Sequence, residues 1–181
     1  MLQTLLRLGI VGAMLLGLAA NADAQASRRQ GFYFSMGLGG GADLSVSDNT
    51  TGGFAGYLRA AGTPSPRFVV GGEVKWLVRE ELTSVWLTRG TGTANVLFYP
   101  SPVLDLFVNG GLGLSWVALY STGGGTVTDE WDTGFGTTIG VGYDIRISDT
   151  FSITPNLDFL YQLVSDTNGY VLMLTVGAAF H

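Results

Sequence analysis

Apolar and polar residues alternate along most of the chain with a period of two. The last thirteen residues read GYVLMLTVGAAFH: Tyr170, Leu172, Leu174, Val176, Ala178 and Phe180 share one face, and Val171, Met173, Thr175, Gly177, Ala179 and His181 share the other. Successive side chains of an extended strand point to opposite sides, so this spacing predicts a strand of about ten residues, the length of a tilted membrane-crossing β-strand. The same alternation predicts seven further strands, at 31–40, 52–61, 67–78, 84–99, 103–119, 133–147 and 151–163. The sixth is the cleanest, with Phe135, Thr137, Ile139, Val141, Tyr143, Ile145 and Ile147 against Gly134, Gly136, Thr138, Gly140, Gly142, Asp144 and Arg146. Pro155 falls inside the seventh, where a missing N–H predicts a bulge.

The connections sort into two kinds. After strands two, four and six they are compact, at Thr63-Pro64-Ser65-Pro66, Pro100-Ser101-Pro102 and Ser148-Asp149-Thr150. After strands one, three, five and seven they are polar, at 41–51, 79–83, 120–132 and 165–168. Eight strands with short turns on one side and longer loops on the other predict an all-β, eight-stranded antiparallel up-and-down transmembrane β-barrel, with both termini periplasmic.

The terminal strand carries a family likeness. A final strand with an aromatic at its end, here Phe180, resembles the closing strand of bacterial outer-membrane β-barrels of the OmpA/OmpX type. That resemblance implies recognition of the strand by the barrel-insertion machinery and pairing with strand one. It also implies a structural or surface-interaction (adhesion-like) role in the outer membrane.

Residues 1–24 fit a secretory signal peptide: a short n-region with one cation, an apolar run over 8–18, and a small-x-small site at Ala22-Asp23-Ala24. Cleavage there leaves 25–181 as one barrel domain. Its apolar run is too short to cross a membrane as a helix, and no later segment is apolar and long enough to do so.

Alternation alone does not say which face meets solvent, and a lipocalin-like soluble binder of a hydrophobic ligand has the same period. Three features favour lipid outside. Aromatics flank the apolar face in two girdles, Phe32, Phe68, Phe98, Phe151 and Phe180 toward the turns and Trp76, Trp86, Trp116, Tyr161 and Tyr170 toward the loops. The opposite face is largely Gly, Ser, Thr and Asn, which suits the crowded bore of a small barrel. Strand charges on that face balance: Arg59, Lys75, Arg89 and Arg146 against Glu73, Asp105, Asp144 and Asp158. Unpaired charges in a narrow bore cost several kcal/mol each, so these residues are expected to form a lumen charge network. Asp105 and Asp158, on the strands flanking strand six, are the expected partners of Arg146.

Composition narrows the chemistry. Charged residues are 13% of the chain, about half the share in an average soluble domain. A net charge of −5 argues against nucleic acid. Cysteine is absent and the one histidine is His181, expected to fray, so neither a metal-ligand cluster nor a nucleophile–base pair is legible and no cofactor is implied. Glycines at 37–41 and 134–142 lie within strands without a following helix and do not make a phosphate loop. Asp43, Asp48, Glu80, Glu81, Asp129, Glu130, Asp132 and Asp166 are placed on the loop side, with Arg79 alone offsetting them. Such loops suit cation-bridged contact with anionic lipopolysaccharide, beside ordinary outer-membrane lipid. The expected assembly is a monomer with a side-chain-filled lumen; a narrow pore for small solutes remains the competing reading.

Overall fold

The computed structural model describes residues 31–45, 51–82, 85–101, 104–121, 130–164 and 167–181. The expected signal peptide and the lead-in at 25–30 lie outside the described residues, as do Asp48, Asp129 and Asp166. The strands are β1 (Gly31–Asp43), β2 (Thr51–Ser65), β3 (Phe68–Leu82), β4 (Val85–Phe98), β5 (Leu106–Ser121), β6 (Glu130–Tyr143), β7 (Ile145–Arg146), β8 (Phe151–Val164) and β9 (Thr167–Phe180). The two-residue β7 continues β6 in the same register against β8, so the sheet has eight staves.

Each stave pairs antiparallel with its neighbours, and β1 pairs with β9 from Phe34–Phe180 to Asp43–Val171. The sheet is therefore a closed eight-stranded barrel. Closure matters because an open sheet edge leaves a row of unpaired backbone groups, which hydrocarbon cannot satisfy. At the end of the chain, the His181 N–H donates to the Thr150 carbonyl at 3.1 Å and its ring packs edge-on against Tyr33. The terminus is docked on the barrel, not frayed as expected.

Several strands run further than the hydrophobic pattern indicates. Strand two continues through Pro64 to Ser65, and the turn is confined to Pro66-Arg67; the β2–β3 register shifts between Gly62 and Ser65, which accommodates the missing N–H. Arg79 to Leu82 extend β3 instead of turning the chain, whereas β5 starts later than expected, at Leu106, and runs on to Ser121. The expected bulge at Pro155 is absent. The β8–β9 register runs unbroken through it, and the ladder on the other side skips Tyr143 and Asp144, opposite Pro155 and Thr154. A proline that cannot donate is tolerated here by giving up one local stretch of ladder.

Apolar side chains cover the outside: Leu112, Leu114, Ile139, Leu174 and Val176 are among the most exposed residues. Charged and amide side chains are inside. This is the reverse of a soluble domain, and it is what a hydrocarbon solvent requires.

Candidate functional site

The bore is layered. Nearest the proline turns, Tyr33, Ala61, Val69, Leu97, Tyr99, Phe107 and Ala179 form one buried apolar cluster. Six of the eight staves or their immediate extensions contribute to it. Phe107 lies over a seventh: a Cβ at Gly142 of β6 would collide with its ring. Toward the loops, Ala55, Leu77, Leu160, Val171 and Met173 form a second cluster, drawn from β2, β3, β8 and β9.

Between the clusters lies an ion network. Glu73 receives the Arg59 guanidinium, the Lys75 ammonium and the Asn95 amide, the last at 3.2 Å. Lys75 also reaches across the bore to Asp158 at 3.3 Å, and the Asn109 amide donates to the same carboxylate oxygen at 3.0 Å. Arg59, Glu73, Lys75 and Asp158 are all buried, and their two positive and two negative charges cancel. Such cancellation is what makes ionised groups tolerable out of bulk water. Around the network, Tyr57 Oη meets Ser35 Oγ at 2.9 Å and accepts from Asn156 at 3.1 Å.

Two smaller ion groups sit at the ends. Toward the loops, Arg89 Nε donates to Asp43 Oδ2 at 2.7 Å, and Arg79 approaches the same oxygen at 3.4 Å. Toward the turns, Arg146 pairs with Asp105 at 3.0 Å. Asp144 is held there by the hydroxyls of Tyr99 and Thr154, each at 2.8 Å, and not by Arg146.

All eight charges expected in the lumen are found on its inner wall, but one pairing differs. Asp158 bonds Lys75, not Arg146. Register explains this: Asp158 stands opposite Gly140 while Arg146 stands opposite Ser152. The two therefore lie six residues apart along the sheet, about 20 Å at strand rise. Asp43 and Arg79, expected on the loop side, are buried in strands and belong to the bore. Adding them gives ten lumen charges among the described residues, five of each sign. Glu80 and Asp132 remain on the exposed surface.

The aromatic positions fall on the outer face. Toward the turns, Phe68 packs at a tilt against Phe98 and Phe151 against Phe180, each pair with ring centroids 5.1 Å apart, and Phe32 is open. Toward the loops, Tyr161 stacks on Tyr170 at 5.2 Å, Trp86 is exposed, and Trp76 and Trp116 are half-buried. The indole of Trp116 lies flat over Gly90 on the adjacent strand, where any Cβ would displace it. Trp131, read from sequence as part of a loop, belongs to β6 and stacks on Trp116 at 6.3 Å. Its odd position, in step with Thr133 and Phe135, was the available signal.

Among the described residues no group of three or more His, Cys, Asp or Glu is placed to hold a metal. The inner wall offers hydrogen bonding and ion pairing.

Closure, inverted polarity and a layered bore define an eight-stranded barrel of the outer-membrane type. Solved structures of that type match it across nearly their whole length. Neisserial surface protein A matches with a TM-score of 0.62 at 16% identity, over 82% of this chain and 96% of its own. A major outer membrane protein of Thermus thermophilus gives 0.58 at 16%, over 82% and 98%. Ail, the attachment invasion locus protein of Yersinia pestis, solved with the heparin analogue sucrose octasulfate, gives 0.57 at 16%, over 83% and 98%. Neither a protein-family model nor a curated protein matches the sequence.

Proposed function

We propose that this chain is an integral outer-membrane protein with a structural or surface-interaction (adhesion-like) role and a side-chain-filled lumen. The observation that carries the reading is the inverted polarity of a closed barrel, with exposed leucines and isoleucines outside and cancelled charges inside. In this reading the two outer aromatic belts sit at the membrane–water boundaries, the proline turns and both termini are periplasmic, and the long connections face outward. Outer-membrane lipid and lipopolysaccharide are its immediate partners, and β9, ending on the exposed Phe180, is the strand presented to the insertion machinery. The barrel acts as a monomer, and no catalytic step is part of the reading. Exposed acidic residues such as Asp132 and Glu80 suit cation-bridged contact with lipopolysaccharide. Ail, an attachment invasion locus protein, lends the adhesion-like reading its support.

The test has two parts. Mature protein should resist carbonate extraction from membranes and migrate differently on SDS gels before and after boiling. Replacing residues 122–129 with a short Gly-Ser turn should preserve that behaviour while abolishing attachment of expressing cells to host-cell or matrix surfaces. A mature protein that stays soluble without detergent would transfer the assignment to a lipocalin-like binder. Attachment that survives the replacement removes the adhesive role from that connection.

A further inference from the structure

We propose that the lumen is closed to ions by the apolar layer at its turn end, Tyr33, Val69, Leu97, Tyr99 and Phe107, and that the ion network beside it is not the barrier. This rests on the closed-lumen reading above and assigns the closure to particular residues.

Two observations separate the levels. The polar middle leaves buried donors and acceptors unmatched alike, the Arg59 guanidinium nitrogen Nη1 and the Thr93, Thr138 and Thr175 hydroxyls among them. Amide nitrogens of Asn95, Asn109, Asn156 and Gln162 are each committed to an acceptor: Glu73, Asp158, the Thr154 carbonyl and the Gly90 carbonyl. Their carbonyl oxygens are therefore fixed as the leftover atoms, and all four are buried without a donor, as is Asp158 Oδ2. An unmet buried acceptor is costly, so these atoms favour water at this level. Water that satisfies them also lets the ion pairs exchange partners, so the level can be wetted.

The turn-end layer has the opposite character. Its rings and aliphatic chains come from most of the circumference, with Tyr99 and Phe107 centroids 5.4 Å apart. Tyr33 carries its one unmatched hydroxyl, while the Tyr99 hydroxyl is engaged by Asp144. The Arg59 guanidinium stands 5.8 Å from the Phe107 ring, so the ion network meets the apolar layer directly. A narrow apolar constriction excludes ions by refusing to stay wet. The second apolar cluster does not provide an equal barrier. It draws on no residue of β4, β5 or β6; Thr91 of β4 and Ser115 of β5 line the bore there instead, with Gln162 of β8 donating to Thr91.

Planar-bilayer recordings test the assignment on the full mature barrel. The natural sequence should show no steady channels, Phe107→Ala should show them, and Asp158→Asn should not, each preparation checked for heat-modifiable migration. Silence from folded Phe107→Ala, or steady current through Asp158→Asn, would overturn the proposal. Steady current through the natural sequence would overturn the closed-lumen reading itself. If Phe107→Ala does not fold, the cysteine-free chain allows a second test with aqueous silver ion. A thiol at Val69→Cys should react at least about tenfold more slowly than one at Thr93→Cys. Equal or faster reaction at Val69→Cys would overturn the proposal.

Discussion

Two adjacent levels of the same bore solve one packing problem with opposite chemistry. At the turn end, Phe107, Leu97, Val69 and the two tyrosines fill the cross-section with apolar surface. In the middle, Arg59, Glu73, Lys75 and Asp158 fill it with charge. The apolar level gains from burial at about 25 cal/mol per Å² without needing specific partners. The charged level is tolerable only because each group finds a counter-ion, and removal of one partner leaves the others stranded. The difference predicts how each level should respond to substitution.

The largest effect is expected at Glu73, which holds Arg59, Lys75 and Asn95 together. Glu73→Gln leaves two buried cations with one carboxylate between them. Unfolding in detergent should show a loss of about 3–5 kcal/mol. Next comes Phe107→Ala, which opens a cavity beside Tyr99 and Gly142; about 3 kcal/mol is expected by the same titration. A smaller value at Glu73 than at Phe107 would mean that the water admitted to this level also solvates the stranded cations. Arg146→Ala probes charge at the mouth, where the guanidinium is 17% exposed and has one partner. Water replaces part of that pairing, so about 1–2 kcal/mol is expected. Glu80→Ala, on the exposed surface, should leave the unfolding midpoint unchanged within error.

Parity made the barrel legible before any coordinates. Eight alternating segments and the inner-face charges were readable, because a one-residue slip would move every side chain to the wrong face. The division of connections was not, since β3–β4 and β8–β9 are joined by two residues each while 99–105 joins β4 to β5. Strand ends were less so. Gly39-Gly40-Gly41 carries no hydrophobic alternation, so the continuation of β1 to Asp43 left no signal. Asp43 therefore read as a loop residue, and Arg79, its neighbour in the bore, read as part of a turn. Pairing was harder still. Sequence places Asp158 and Arg146 on neighbouring strands, but partner choice depends on register and on reach across the bore, as Lys75 demonstrates. The apolar layer was hidden for a third reason. Tyr33, Val69, Leu97 and Phe107 lie at inner-face positions scattered over four strands, and only closure assembles them.

The central claim is that alternate residues of each strand face lipid and a closed interior. Spin labels placed one at a time on β9 of the cysteine-free chain, in lipid bilayers, test it most directly. Labels at Leu172, Leu174 and Val176 should be readily relaxed by membrane-dissolved oxygen, and labels at Val171, Met173 and Thr175 should be shielded from it, giving a period of two along the strand. Uniform accessibility along β9, or greater contact with a water-soluble relaxant at Leu172, Leu174 and Val176, would contradict the account.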